Sequence, residues 1–359
     1  MGVGDGYIVQ KFLHNPWLVG PGATSRNEWV QTGKPVDGVV GPTGISAGVG
    51  KGYKFVIRQF VVATSMEPVQ MYTYPDGLLF WTRGPHSTES KDWKDRANFI
   101  TDYFFTNVQT KLQLTTSELR NLMREQGVDE QAIWADIKES VTKAFLPVAQ
   151  RIAQQEGKYI PRRGGGFHVW GYDILVNAEG KAIVCEINAH PNTDLEIVKE
   201  DREPDRINLI RGDREMKMDL TEHMVRVIGM MKDKPFDEKA KEEYGDVVDK
   251  KLPGLNWAKP GEACHSGMRC LKDYEYEDLV TAEFEDAAKG VLERSFPTAS
   301  QKHLEPMLMD SLPRTKMLLE YWSGPDGDGH LYNENGSFKE PRDPYIAPKL
   351  KKRFARDEL

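Results

Sequence analysis

Residues 167–194, FHVWGYDILVNAEGKAIVCEINAHPNTD, constrain the fold more than any other stretch. Phe167 to Val176 is rich in aromatic and β-branched residues. Asn177-Ala178-Glu179-Gly180 is a turn cluster, and Lys181 to Asn188 is a second strand-like run. The pattern predicts a β-hairpin. With those four residues as the loop, Val176 would pair with Lys181 and Asp173 would lie opposite Val184. Side chains alternate faces along a strand, so Asp173, Glu186 and Asn188 would share one face, with Asp173 diagonal to Glu186. Two carboxylates and an amide oxygen form a hard donor set, suited to Mg²⁺ or Mn²⁺ held partly by protein and partly by phosphate. Such an ion clamps a nucleotide's phosphates and neutralises charge as a phosphoryl group leaves. Taken alone, the same residues favour a plainer description, a hairpin with polar groups on a solvated face. One detail opposes it. Glu186 and Asn188 sit in IVCEIN, a run otherwise apolar enough to be buried, and a buried carboxylate needs a partner or a metal.

Composition removes several function classes. No long basic stripe occurs and the formal net charge is −7, which argues against nucleic acid as a partner. No apolar run approaches the length of a membrane span, and the N-terminus is not a signal peptide. Cys185, Cys264 and Cys270 do not suggest a disulfide framework, so a reducing compartment is the simpler inference. The terminal Arg356-Asp357-Glu358-Leu359 is similar to an ER-retention tetrapeptide but reads as chance in a charged tail.

GYDILVN…AIVCEINAHP resembles the metal-binding end of the tubulin–tyrosine ligase-like family, within the ATP-grasp superfamily. The family pattern there is roughly G-[FY]-D-[FIVL]-[LM]-[VI]-D followed by [LI]-[LI]-E-[VI]-N-x-x-P. By that resemblance Asp173, Glu186 and Asn188 hold Mg²⁺ (or Mn²⁺). Three earlier stretches support it. YIVQKFLHNP, at residues 7–16, is similar to the family's adenine hinge. The resemblance gives Gln10 and Lys11 contact with the nucleotide, and the backbone of Phe12 and Leu13 a base-reading edge. Residues 53–65, YKFVIRQFVVATS, form a β-type run similar to the family's K-[FY]-D-[ILV]-R strand. Lys54 and Arg58, four apart and so on one strand face, would meet phosphate or the amino-acid substrate. Thr106 and Asn107 in FFTNVQTKL match the family's Thr-Asn pair near the phosphates, with Thr101-Asp102 as a competing alignment. Two departures stand out. Val56 replaces the family's Asp, and Phe80 occupies the position of the Arg that contacts the incoming amino acid's carboxylate, with Arg83 three residues on.

The rest of the chain is read from pattern. Residues 20–52 are a Gly- and Pro-rich loop. Its Gly48-Val49-Gly50-Lys51-Gly52 fails the phosphate-loop pattern at Ile45 and at Gly52. Residues 69–82 read as two short strands around a Pro75-Asp76-Gly77 turn. Residues 115–156 read as helical, with a capping box at Thr115-x-x-Glu118 and a second cap at Asp129. There Ile133, Ile137, Val141, Phe145, Val148 and Ile152 form a core stripe. Arg162 to Gly166 is a solvated loop and His190 a turn residue. Residues 213–232 are one more helix. The Cys264-His265…Cys270 cluster fits no common zinc spacing. Asp326-Gly327-Asp328-Gly329 fails as a calcium loop at Leu331 and Ser337.

The expected fold is α+β, the C-terminal portion of an ATP-grasp fold, with a largely antiparallel sheet and flanking helices. A domain at 1–235 is followed by a helical, partly disordered extension at 236–359. Since the resemblance begins in mid-domain, the chain is expected to be the C-terminal part of a longer protein. The resemblance implies a ligase that uses ATP and Mg²⁺ to add a free amino acid (Glu, Gly or Tyr) to tubulin or another protein acceptor through an acyl phosphate, in the cytoplasm, at microtubules or cilia. Arg58 and Lys54 would stabilise the reacting phosphate. Val56 and Phe80 leave open a degenerate module that binds tubulin or another acidic tail without catalysis.

Overall fold

The computed structural model describes residues 13, 15–19, 45–47, 53–82, 86, 87, 89, 94, 101, 115–125, 127–159, 166–193, 204–308, 312–325 and 327. In chain order these form β1 (Trp17–Val19), β2 (Ile45–Ala47), β3 (Tyr53–Met66), β4 (Val69–Trp81), α1 (Thr116–Glu125), α2 (Glu130–Tyr159), β5 (His168–Val176) and β6 (Ala182–Asn188). Then come α3 (Pro204–Val227), β7 (Met230–Met231), β8 (Lys234–Pro235), α4 (Glu238–Leu255), β9 (Trp257–Ala258) and β10 (Arg269–Cys270). Last are α5 (Asp273–Ala288), β11 (Glu293–Phe296), a 3-10 helix (Ala299–Met307) and α6 (Pro313–Trp322).

The centre is β3, a long run of aromatic and β-branched residues of the kind that suits a strand buried on both faces. It pairs with β4 on one side and with β5 along Ile57 to Ala63 on the other. Where the β5–β6 hairpin turns away, β1 takes over beside β3, pairing Leu18 with Lys54. With β2, β6 and β11 this makes a seven-stranded sheet among the described residues, all of it antiparallel. Phe55, Ile57, Val61 and Ala63 point to one face, packed against α1 and α2 through Leu119, Ile137, Val141 and Phe145. Phe60 and Val62 point to the other, against Met216, Leu220 and Val227 of α3. The α+β class with a mainly antiparallel sheet is as expected.

Several local expectations change. Residues 69–81 are one strand, and Tyr74-Pro75-Asp76 is a bulge within it, where the register with β3 shifts between Gln59 and Val61. Buried Gln59 holds the bulge, donating to the carbonyls of Tyr74 (2.5 Å) and Asp76 (3.3 Å). The bulge aims the Asp76 carboxylate at α1, where it accepts from the Ser117 amide and the Thr116 hydroxyl. Asp76 thus satisfies one of the helix's first backbone donors, and the Glu118 side chain of the expected box lies outside the described residues. Asp129 caps α2 as expected, through Ala132 N–H at 3.1 Å. Of the predicted stripe, Ile133, Ile137, Val141 and Phe145 are buried and Ile152 packs beside them, but Val148 is exposed.

Described residues beyond 235 are tied into the sheet. β11 pairs with Thr73, Tyr72 and Met71 of β4. Leu304, Leu308, Leu312 and Leu319 complete the core beneath α2. A second core joins α4, α5 and α6 around Trp257, Leu279 and Tyr321. Cys264 and Cys270 are bonded to each other, a disulfide that the cysteine count did not suggest, which removes that ground for a reducing compartment and leaves neither thiol for zinc.

Candidate functional site

The hairpin forms, and its register differs from expectation in a way that tightens the site. Val176 pairs with Ala182 and Ile174 with Val184, and then the pairing shifts, so Asp173 faces Glu186 directly and Gly171 faces Asn188. Cys185 is the extra residue of this bulge. Without it Asp173 would face Cys185, and Glu186 would pair with Tyr172 on the opposite face of the sheet. With it the two carboxylates share one face at the closest cross-strand separation.

Arg58 of β3 is opposite Asp173 on β5. Its Nε donates to Asp173 Oδ1 at 2.5 Å and its Nη2 to Oδ2 at 3.1 Å, a two-point clamp. Asn188 Nδ2 donates to the same Oδ2 at 3.2 Å and to the Gly171 carbonyl at 3.4 Å, which turns its amide oxygen away from Asp173. The Arg58 guanidinium carbon lies 5.2 Å from the centre of the Phe80 ring. Gly171 lacks a side chain for a visible reason: a Cβ there would stand 2.9 Å from both Arg58 Cδ and Pro191 Cβ. Phe80, Gly171 and Cys185 were absent from the residues singled out for chemistry. Gly171 does lie in the quoted G-[FY]-D pattern, a signal that could have found it.

Glu186 is exposed, not buried, because β6 lies at the sheet edge, with Ile183 and Ile187 each 38% exposed. The argument that a buried IVCEIN demands a partner for Glu186 therefore fails, and what gathers the site is the register. Lys54 and Cys185 are close enough to affect one another. Burial lowers the Lys54 ammonium, and Cys185 partly offsets this. Burial pushes the Cys185 thiol up, with the Leu175 backbone hydrogen bond and Lys54 pulling against it. The thiol is accordingly protonated at neutral pH.

The donor set fits Mg²⁺ or Mn²⁺ in kind: two facing carboxylates and an amide. Among the described residues no three Asp, Glu, His or Cys side chains converge as a metal cluster. An ion there would need phosphate or water to complete its shell. The structure thus brings together Arg58, Asp173, Glu186 and Asn188, with Lys54 along the same strand face. Leu13 is described and half-buried. Gln10, Lys11, Phe12, Thr106 and Asn107, with Arg83 and Arg162, lie outside the described residues. His190 is exposed in the turn after β6. No helix of the described residues is long and apolar enough to cross a membrane.

An antiparallel α+β unit with a basic central strand beside an Asp/Glu/Asn hairpin places this chain in the ATP-grasp class. The sequence model of the tubulin-tyrosine ligase family matches residues 4–202, more than half of the chain. The chain belongs to that family. Among similar proteins, the tubulin monoglutamylase TTLL4 of Mus musculus is 25% identical over 206 residues, covering 53% of this chain and 15% of that protein. The tubulin polyglutamylase TTLL5 of Mus musculus is 22% identical over 203 residues, covering 49% and 15%. The tubulin polyglutamylase ttll-4 of Caenorhabditis elegans is 20% identical over 293 residues, covering 75% and 46%. The chain spans less than half the length of each of these relatives.

Proposed function

We propose that this chain carries the cation- and anion-binding end of an ATP-dependent ligase that joins a free amino acid to tubulin or another protein acceptor. The observation that carries the reading is the facing of Asp173 and Glu186 beside Arg58 on one sheet face. The relatives' activities support tubulin as acceptor and favour glutamate among Glu, Gly and Tyr as the added residue. Cytosol, microtubules and cilia are the matching places of action.

In this reading the acceptor carboxylate takes the γ-phosphoryl group of ATP, releasing ADP. The amine of the incoming amino acid then attacks the acyl carbon, phosphate leaves, the amine gives up a proton and an amide bond forms. Asp173, Glu186 and Asn188 would hold Mg²⁺, which supplies charge neutralisation at the phosphates when bound. Arg58 and Lys54 provide fixed positive charge for the transferring and departing phosphate. Gln10, Lys11, Phe12 and Leu13 are proposed for the adenine hinge, and Thr106 and Asn107 for the phosphates. The division at residue 235 is proposed as the limit of the ligase-type domain, with 236–359 as its support.

A second reading, a non-catalytic module that binds an acidic tail, is favoured by one observation. Val56 and Phe80 are buried apolar side chains where the resemblance expects Asp and Arg. Equilibrium dialysis with labelled ATP, with and without Mg²⁺, separates the two. The ligase reading expects Mg²⁺-dependent retention that Asp173→Ala and Glu186→Ala abolish, and labelled glutamate entering tubulin. Tubulin binding that ignores nucleotide and metal, with no incorporation, would establish the second reading.

A further inference from the structure

Arg58 and a cation compete for the same atoms. A carboxylate offers about four lone-pair directions. On Asp173 three of these are taken, by Arg58 Nε, Arg58 Nη2 and Asn188 Nδ2. One direction, on Oδ1, stays open to a divalent cation approaching from the Glu186 side, which would then share the carboxylate with Arg58, and Asn188 must turn its amide to present oxygen. Once there, the cation repels the guanidinium a few ångströms away. The guanidinium lies beside a flat aromatic ring at Phe80 and over the bare backbone of Gly171.

We propose that Arg58 is a switched anion-binding group. With no cation, it spends its Nε–Nη2 edge on Asp173. A divalent cation at Asp173 and Glu186 frees that edge for a phosphate-type anion. The inference rests on the metal reading above and adds a regulation to it: cation and anion tighten each other through one side chain. Coupling between two ligands is reciprocal, so each must strengthen the other by the same factor. The consequence for the site is order. A nucleotide without its divalent ion meets a guanidinium already neutralised by Asp173, and unproductive binding is suppressed. Arginine suits the role because its planar fork satisfies a carboxylate or a phosphate with the same two donors.

The test uses the full chain with Mn²⁺ and inorganic phosphate as probes. Bound Mn²⁺ is read by electron paramagnetic resonance against protein-free controls, and phosphate by calorimetry. The wild type is expected to bind Mn²⁺ at least roughly fivefold tighter with saturating phosphate, and phosphate tighter by the same factor with Mn²⁺, the lower end of usual couplings. Arg58→Lys keeps the charge but loses the fork. It is expected to bind Mn²⁺ alone more tightly than wild type, with the mutual tightening cut to under about twofold. Arg58→Gln serves in its place should the lysine variant fail to fold. Full tightening retained in Arg58→Lys would mean that phosphate simply ligates the ion, and would overturn the proposal. Asp173→Asn separates the two levels. If the wild type binds no Mn²⁺, or binds it as well as Asp173→Asn, the metal reading has failed and takes the switch with it. If Asp173→Asn loses Mn²⁺ while Arg58→Lys behaves as wild type, only the switch has failed.

Discussion

Two arginine–carboxylate clamps flank this sheet, one on β3 and β5 and one between α5 and α6 beside the β3–β4 turn, with nearly the same bonds and differently buried carboxylates. At the β3–β4 turn, Arg314 donates through Nε and Nη2 to Asp278 at 2.7 and 2.9 Å. Asp278 is fully buried, although the Arg314 side chain keeps 23% exposure. Glu67 beside it accepts from the Arg314 amide at 2.9 Å and from the Thr315 hydroxyl. Thr315 in turn accepts from Val69 N–H. Burial raises the Glu67 carboxyl above its ordinary range although these bonds pull it down. At the other clamp, Arg58 holds Asp173 with similar geometry, but both side chains keep about 15% exposure. Facing them is Glu186, exposed and, among the described residues, without an ion-pair partner. A clamp on a fully buried carboxylate ties α5 to α6 beside the β3–β4 turn. An open one next to a second carboxylate can exchange partners. Geometry of the pair alone does not distinguish structure from chemistry; what lies on its open side does.

The largest expected effect is at the buried carboxylate. Arg314→Met strands a buried carboxylate and should cost about 3–5 kcal/mol of stability, read by denaturant unfolding. Arg58→Met leaves Asp173 its 16% exposure and the Asn188 donor, and should cost less, about 1–3 kcal/mol. Equal costs would break the contrast. Next is acid sensitivity, read at a third carboxylate, Asp286, held by two cations. Burial alone would raise the Asp286 carboxyl, but Arg294 and Lys289 outweigh it and hold the group below its ordinary value. The native state therefore binds that proton less readily than the unfolded chain. Its stabilisation is present above the unfolded value near 4 and is lost as pH falls through the lower native value. Asp286→Asn should flatten the fall in melting temperature below about pH 4. An unchanged acid limb would remove Asp286 from that role.

How much of this was legible depended on range. The hairpin, the β3 strand, the α2 stripe and the family motif are local patterns, and they gave the sheet's centre and the gathering of Arg58, Asp173, Glu186 and Asn188. What failed needed partners far away in the chain. The Pro75-Asp76-Gly77 signal was real turn chemistry, but Gln59 and α1 convert it into a bulge. The facing of Asp173 and Glu186 depends on Cys185 bulging, which a strict two-residue period cannot show. β11 is only four residues, ERSF, too short to announce a strand, so the tie between the C-terminal third and β4 was invisible. The apolar run IVCEIN suggested burial, although only its Ala182 and Val184 partners along β6 pack on the core.

Two smaller effects sharpen the comparison at the open end. Gly171→Ala places a methyl 2.9 Å from Arg58 Cδ. Arg58 is a flexible chain that can yield, so the stability cost should stay near the low end of overpacking, about 1 kcal/mol. The displaced guanidinium should let Mn²⁺ bind more tightly, in the same direction as Arg58→Lys.

The smallest effect concerns the edge itself. Ile183 and Ile187 on β6 are apolar, alternate with the site residues and would count as core by pattern alone. Each nevertheless keeps 38% of its surface in water. Replacing either with Thr retains a β-branched side chain suited to a strand, and removes apolar area that was only partly buried. The change in stability should lie within about 0.5 kcal/mol, as for exposed positions generally. Ile174 is the internal control. It lies on the neighbouring strand, is fully buried and packs against α2, so Ile174→Thr should cost several times more. A loss above about 1.5 kcal/mol at Ile187 would exceed what an exposed site can give. It would mean that the edge is covered in the native protein and that Asp173, Glu186 and Arg58 lie deeper than the open clamp requires.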